Sequence, residues 1–370
     1  MERKKNEVGM KETLNPEMVT IARESRGLTQ SELAKQLTIT QGALSKIEGG
    51  LKAASPDILA KLSEILGYPE KFFFSREPVF GLGIGTLYHR KRQSLSSIVL
   101  AKIHAQINIL RIHIGRLLAA IDLEPAKIER LDPDEHETPE QIARIVRARW
   151  LIKSGPVHNL TGAIEDAGGI VVRCDFGTPL IDAISQWPPD LPPLFFVNEV
   201  LPGDRLRFSL AHELGHIIMH EHHRDDMEGE ANRFAAEFLM PASDIRPSLS
   251  PLALPILATL KSYWKVSMAA ILKRATDLKT ISERQARYLW MCIGQAGYRK
   301  REPAELDIPV EKPTGLDDLI ATYRNDLGYS IADLSAFLDI HEHQFRSDYL
   351  GQRGGLRMIQ GGVVRRMGLA

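Results

Sequence analysis

Apolar residues recur at intervals of three or four along most of this 370-residue chain, a periodicity that predicts amphipathic helices. Helical patterns cover residues 14–74, 97–122, 139–152, 159–167, 205–220 and 226–240, with two more inside 257–298. Strand patterns are confined to three short segments at 170–175, 181–187 and 194–197, the last two separated by prolines. The sequence therefore predicts a mainly α protein with a small β-sheet, in the α+β class.

Breaks in these patterns divide the chain into five predicted segments. Residues 14–75 are expected to form an all-α bundle, and residues 76–137 a connector that contains the long amphipathic helix. Residues 138–300 hold the strands and the next helices, and residues 314–350 form a smaller helical element. Residues 351–370 contain glycine and arginine but no acidic residue, and we expect them to be a flexible tail.

Composition excludes several classes of protein without choosing a function. The chain has 47 Lys and Arg against 47 Asp and Glu, so DNA binding would require a local basic surface. No apolar run approaches the ~18–20 residues of a membrane span, and the N-terminus lacks a signal-peptide core. Two cysteines give no disulfide framework. We expect a soluble cytoplasmic protein with no membrane partner.

The run His212-Glu213-Leu214-Gly215-His216 is the most informative motif. Residues four apart share one face of a helix, so His212 and His216 can hold the same metal ion. Glu213, one step round the helix, can reach a water on that ion as a general base. The surrounding residues are mostly apolar, and ionisable side chains among them require a reason because unpaired buried charge is costly. The motif predicts a Zn²⁺ peptidase site.

The sequence pattern alone leaves the third ligand open. Along the next helix, Glu230 and Glu237 border one side of the apolar face and Glu228 borders the other. His220 follows His216 by four residues, so it can be a ligand, a partner of a ligand, or a polar helix end. No residue stands out as a stabiliser of an oxyanion.

A second pattern lies near the N-terminus. Thr29 and Glu32 form a predicted capping box at the start of one helix, and a short turn leads to a second helix after Thr40. Four residues of the second helix are expected to point outward: Gln41, Gly42, Ser45 and Lys46. Such a helix can place its N-terminal side chains in the major groove, where Gln suits adenine and Lys suits guanine or phosphate. A helical bundle that binds protein is the alternative.

Residues 27–37 are repeated, in degenerate form, at 328–338. In the second copy Ile331 stands in the place of Gln30, and Glu342 in the place of Gln41. An acidic residue at that place would repel phosphate. We therefore interpret residues 316–350 as a packing or regulatory element rather than a second DNA-reading unit.

From about Val19 to Gly67 the chain resembles the XRE/Cro-type helix-turn-helix family. The resemblance implies that Gln30 contacts phosphate, that Gln41 and Gly42 face bases with Lys46 further along, and that the protein binds operators as a homodimer. Gly42 departs from the larger polar residue that is usual there, which weakens the expectation of extensive base reading.

The segments HELGH at 212–216 and EANRFAAEFLMP at 230–241 resemble the ImmA/IrrE family of metallopeptidases. The similarity extends over roughly residues 138–300 and includes CDFG at 174–177 and WKVSMAA at 264–270. It implies a zincin-like fold, Glu230 as the third zinc ligand, and cleavage of a helix-turn-helix repressor.

Together these patterns predict a DNA-binding regulator fused to a zinc endopeptidase that cleaves a repressor, in trans or within itself. One alternative is a transcription factor whose peptidase-like domain is a non-catalytic ligand or metal sensor. Another is a protease inhibitor or antitoxin-like binding protein that uses both domains as interaction surfaces. The complete HExxH motif argues against a pure sensor, because Glu213 is not needed merely to hold a metal.

Overall fold

A computed structural model of the chain describes residues 13–81, 95–121, 126–136 and 138–350. The tail expected at 351–370 and part of the expected connector lie outside these residues. Helices dominate, and one small sheet lies in the middle of the chain, which confirms the predicted α+β class. Among the described residues no helix is long and apolar enough to cross a membrane.

The first helices are α1 (Pro16–Ser25), α2 (Gln30–Gln36), α3 (Gln41–Glu48), α4 (Pro56–Leu66), α5 (Ser97–Leu118), α6 (Pro139–Arg149) and α7 (Leu160–Asp166). The strands β1 (Ile170–Cys174), β2 (Ala183–Gln186) and β3 (Leu194–Asn198) follow. The remaining helices are α8 (Gly203–Met219), α9 (Met227–Leu239), α10 (Ala242–Ile245), α11 (Leu254–Trp264), α12 (Met268–Asp277), α13 (Glu283–Gln295), α14 (Gly315–Asn325), α15 (Ile331–Phe337) and α16 (Glu342–Tyr349). Short 3-10 helices lie at Glu70–Phe74, Arg246–Leu249 and Ala304–Leu306.

These elements form two compact units. The first unit contains the described residues up to 81, residues 96–119, and residues 321–350. The second unit contains the described residues from 120 to 320, including the sheet and helices α6 to α13. The five segment boundaries expected from the sequence stay predictions.

In the first unit, helix starts are fixed by side-chain caps. The hydroxyl of Thr29 accepts a hydrogen bond from the Glu32 backbone N–H. The Glu32 carboxylate accepts one from the Thr29 backbone N–H, which completes the predicted capping box. Thr40 caps α3 by accepting from the Ala43 N–H. Such caps satisfy backbone donors that a helix leaves unpaired in its first turn.

Helices α14 to α16 repeat the arrangement of α1 to α3, and the turns and caps between the helices recur at one constant offset in residue number. Gly27 and Gly328 both take positive φ, and Thr38 and Asp339 both take left-handed backbone angles after the second helix. Ser330 and Asp333 form the capping box that matches the one at Thr29. The shared turns and caps make residues 315–350 a second helix-turn-helix unit in backbone geometry.

The second helix-turn-helix copy packs on the long helix α5 through buried polar contacts. Arg116 donates to an Asp339 carboxylate oxygen at 2.6 Å, and the Tyr323 hydroxyl donates to the Leu117 carbonyl at 2.9 Å. His113 Nδ1 lies 2.5 Å from the Tyr349 hydroxyl. These contacts explain why residues distant in sequence share one unit with α5.

The sheet of the second unit has the order β1-β3-β2. Strand β3 pairs parallel with β1 and antiparallel with β2, and all five of its residues are buried. A central strand covered on both faces requires a continuous apolar run, which Leu194-Phe195-Phe196-Val197 supplies. Helix α8 follows β3 and packs beside β2 and β3, so the sheet supports the helix that carries the HExxH motif.

Burial lowers the pKa of His113 to about 3, helped by the nearby Arg116 charge. An unfolded histidine titrates near 6.5, so unfolding takes up a proton between these two values. The stability that neutral His113 contributes is present above pH ~6.5 and is lost as the pH falls toward 3. We expect the free energy of unfolding of the first unit to fall by about 1.4 kcal/mol per pH unit from this group alone.

The measurement is urea unfolding between pH 7 and pH 4, followed by hydrogen exchange of α5 peptides so that only the first unit is monitored. His113→Phe, which does not titrate, is expected to have a shallower slope. Equal slopes in the two proteins would contradict the assignment.

Candidate metal centre

Helix α8 is buried on nearly every side, which is unusual for a helix with so many polar residues. Its apolar residues enter the core of the second unit, yet His212, Glu213 and His216 are only 7%, 3% and 5% exposed. Burying three ionisable side chains within an apolar core is costly unless they have partners. The partners come mainly from helix α9.

Helices α8 and α9 approach closely at Gly215. A Cβ at this position would lie 3.1 Å from a Phe234 ring carbon and 3.3 Å from the Ala231 Cα. The missing side chain therefore allows the two backbones to come together. This approach brings the carboxylates of α9 within reach of the histidines of α8.

Three ligand-type side chains converge at this contact. His212 Nε2 and His216 Nε2 are 3.0 Å apart. Glu228 Oε2 lies 3.4 Å from His212 Nε2, and Glu228 Oε1 lies 3.3 Å from His216 Nε2. Among the described residues, these three side chains form the one group with metal-ligand spacing.

The donor set fits zinc. Tetrahedral ligands about 2.0–2.1 Å from a zinc ion lie about 3.3–3.4 Å from one another, close to the separations found here. Glu228 Oε1 is buried and receives no aligned hydrogen bond from the described residues. An acceptor of this kind, buried beside two imidazole nitrogens, would be satisfied by a bound cation.

Glu213 lies beside this cluster, outside the ligand group, and contacts the sheet. The Ser185 hydroxyl on β2 donates to Glu213 Oε2 at 2.5 Å. Burial raises the pKa of Glu213 to about 7. A carboxyl with such a pKa can both accept and release a proton near neutral pH, as a general base that later acts as an acid must do.

Burial and the contacts between Glu228 and the two histidines shift the pKa values of all three side chains. Burial lowers the pKa of His212, but the contact with Glu228 and the charges of Glu213 and Glu228 outweigh it, so the pKa is raised. Burial lowers the pKa of His216 to about 4. Burial raises the pKa of Glu228, but its contacts with His212 and His216 prevail and hold it below the usual range. An ionised Glu228 beside neutral His216 has the protonation states that metal ligation requires.

Glu230, the third ligand implied by the family resemblance, lies elsewhere. Its Oε2 is 2.9 Å from His220 Nε2 and 3.5 Å from Arg224 Nε. Two residues along a helix correspond to about 200° of rotation, so Glu228 and Glu230 cannot face the same point. The structure brings Glu228, not Glu230, to the histidine pair.

The sequence analysis did not identify Asn232 as a residue that contacts two members of the cluster, His212 and Glu228. Its Oδ1 lies 3.2 Å from His212 Nδ1, and its Nδ2 donates to the Glu228 carbonyl at 2.7 Å. The spacing was the available signal, since Glu228 and Asn232 are four residues apart and share one face of α9. Ser185 gave no such signal, because its position opposite Glu213 depends on how β2 packs against α8.

In the first unit, the residues expected to face DNA share one surface. Gln41, Gly42, Ser45 and Lys46 are exposed on α3. Gln41 Nε2 donates to Gln30 Oε1 at 2.7 Å, and Gln30 Nε2 donates to Glu48 Oε2 at 2.8 Å. The network holds both glutamines in place before any DNA contact, with Arg23 pairing Glu48 at 2.7 Å beneath them.

Comparison with known protein families finds one match in each of the two compact units. Residues 21–73 match the family model described as helix-turn-helix. Residues 165–276 match the family model described as IrrE N-terminal-like domain. The two matches lie in different parts of the chain. The second match spans β1 to α12 and therefore contains His212, His216 and Glu228. The two family resemblances predicted from the sequence are confirmed. No curated protein matches the chain.

Gly215→Ala is expected to destabilise the second unit by about 1–3 kcal/mol, because the added methyl group meets Ala231 backbone and Phe234. It should also weaken zinc binding, since separating the helices moves His216 away from Glu228. Calorimetric unfolding and zinc titration measure the two effects.

Gly294→Ala is the matched control, since its added methyl group meets only the flexible end of Arg299. We expect this helical change to be neutral or slightly stabilising. If Gly215→Ala behaves like this control, the close approach of α8 and α9 does not govern the site.

Proposed function

We propose that this chain is a DNA-binding transcriptional regulator whose second unit is a zinc endopeptidase. The observation that carries the proposal is the convergence of His212, His216 and Glu228 on one point, with a separate buried carboxylate on the adjacent residue Glu213. Metal ligation alone accounts for the first three residues. It does not account for Glu213.

In this proposal His212 and His216 supply two imidazole nitrogens and Glu228 supplies a carboxylate oxygen, which leaves one position open. Zinc bound there would lower the pKa of a water to about 7 and polarise the carbonyl of a peptide bond. The carboxylate of Glu213 takes a proton from the attacking water and delivers it to the departing amine nitrogen. The Ser185 hydroxyl holds the Glu213 carboxylate in position during both transfers.

The substrate class follows from the family resemblance and is a helix-turn-helix repressor, cleaved in trans or within the same chain. The first unit brings the peptidase to an operator through Gln30, Gln41, Gly42, Ser45 and Lys46. Two copies of the chain would read two half-sites, as helix-turn-helix dimers do. Cleavage would then relieve repression at the operator where the protein is bound.

The metal set and the base are separated by two variants. Glu228→Ala should lose zinc, because it removes a ligand. Glu213→Gln should retain zinc and lose hydrolysis by about 10²–10⁴-fold, because the amide cannot accept the proton. Elemental analysis gives the zinc content, and N-terminal peptide mapping of cells that express each protein gives the cleavage products.

The proposal expects new N-termini within helix-turn-helix proteins only when Glu213 is intact. If wild type and Glu213→Gln hold equal zinc and give the same peptide map, the second unit is a metal sensor and not a peptidase.

DNA reading by α3 predicts different effects for two exposed residues. Gln41→Ala should lower affinity for a preferred duplex by about 1–3 kcal/mol, as expected for loss of a base contact. If Lys46 contacts phosphate, Lys46→Ala should reduce the salt dependence of binding by about one unit of slope. The duplex is selected from a random library, and fluorescence anisotropy at several salt concentrations measures binding.

Glu342→Ala is the matched control, because Glu342 occupies the place of Gln41 in the second helix-turn-helix copy. We expect this change to leave the affinity within twofold of wild type. A loss as large as that of Gln41→Ala would mean that the second copy also contacts DNA.

A further inference from the structure

We propose that Glu230 and His220 form a relay that orients His216 and fixes its tautomer for metal binding. The inference rests on the proposed zinc site and gives a role to two residues that the ligand set leaves unused. It also explains why the chain has three histidines at intervals of four, of which two reach Glu228.

The relay is a continuous series of short contacts. His216 Nδ1 lies 2.9 Å from His220 Nδ1, and His220 Nε2 lies 2.9 Å from Glu230 Oε2. His220 is 4% exposed and directly follows the last residue of α8. A buried imidazole between another imidazole and a carboxylate has both ring nitrogens engaged.

The chemistry of the last acceptor assigns every proton in the series. An ionised carboxylate only accepts, so His220 must carry its proton on Nε2 to donate to Glu230. Neutral His220 then accepts at Nδ1, and His216 must donate from its own Nδ1. The Nε2 of His216 is left with a lone pair, on the side that faces Glu228 and His212.

His212 is oriented by a different group. Asn232 donates its Nδ2 to the Glu228 carbonyl, which turns its Oδ1 toward His212 Nδ1 as an acceptor. Both histidines therefore donate from Nδ1 and present Nε2 to the metal position. The relay fixes the orientation and tautomer of His216, and the Asn232 amide does the same for His212. Removal of partners of this kind typically weakens metal affinity by 10–100-fold.

Glu230 is itself held by a cation. Arg224 Nε lies 3.5 Å from Glu230 Oε2, and Arg224 also donates to both carboxylate oxygens of Asp134 at 2.8 Å and 2.9 Å. The guanidinium therefore holds in place the carboxylate that the relay needs as its acceptor.

The test uses the full chain and the isosteric change Glu230→Gln. The amide can turn its NH₂ group toward His220, reversing the series and placing the proton of His216 on Nε2. Nitrogen-15 NMR of the zinc-free protein reports the tautomer, and competition with a chromophoric chelator reports zinc affinity. Glu221→Gln is the control, since Glu221 is an exposed carboxylate next to His220 in sequence.

We expect Glu230→Gln to increase the Nε2–H tautomer of His216 and to weaken zinc binding by 10-fold or more, with Glu221→Gln unchanged in both. A second change, His220→Gln, should also alter the tautomer signal, with circular dichroism establishing that each variant is folded.

Two results would overturn the relay. Either Glu230→Gln matches Glu221→Gln in tautomer and affinity, or Glu230→Gln loses zinc completely while Glu228→Gln retains it, which makes Glu230 a ligand. If the wild-type protein takes up no zinc, the proposed function fails, and the tautomer of the zinc-free protein still decides the relay.

Discussion

The close packing of α8 against α9 is the contact on which the candidate metal centre depends. The two histidines are on one helix and the carboxylate on the other, so their distances are set by how nearly the backbones approach. Gly215 permits that approach, and Ala231 and Phe234 form the surface it meets. A larger residue at position 215 would leave the histidines in place on α8 but move the Glu228 carboxylate away from them.

Burial shifts the pKa values of the site's side chains and also requires that each of them has a hydrogen-bond partner. The apolar core of the second unit surrounds α8, which raises the pKa of Glu213 to about 7 and lowers that of His216 to about 4. Each buried polar group then needs a defined partner. Ser185 serves Glu213, Asn232 serves His212, and His220 with Glu230 serves His216. A buried network with its partners in place is more rigid than exposed side chains of the same type.

The sequence predicted what depends on spacing within one element. The spacing of four residues predicted that His212 and His216 share one face of a helix, and the capping residues predicted where α2 begins. Spacing did not decide between Glu228 and Glu230, because that choice depends on the rotation of α9 about its axis relative to α8. The family resemblance implied Glu230, whereas the structure places Glu228 beside the two histidines. The opposition of Ser185 and Glu213 was equally out of reach, since it is a contact between a strand and a helix. The repeat at 328–338 was recognised, whereas its packing on α5 through His113 and Arg116 required the fold.

The central claim is that His212, His216 and Glu228 hold one zinc ion. The most direct measurement is a crystal structure of the zinc-loaded protein with anomalous diffraction at the zinc absorption edge. The account predicts a single strong peak about 2.0–2.2 Å from an imidazole nitrogen of each histidine and a carboxylate oxygen of Glu228, with Glu230 bonded to His220. A peak coordinated by Glu230 or His220 in place of Glu228, or no peak at this site, would contradict it.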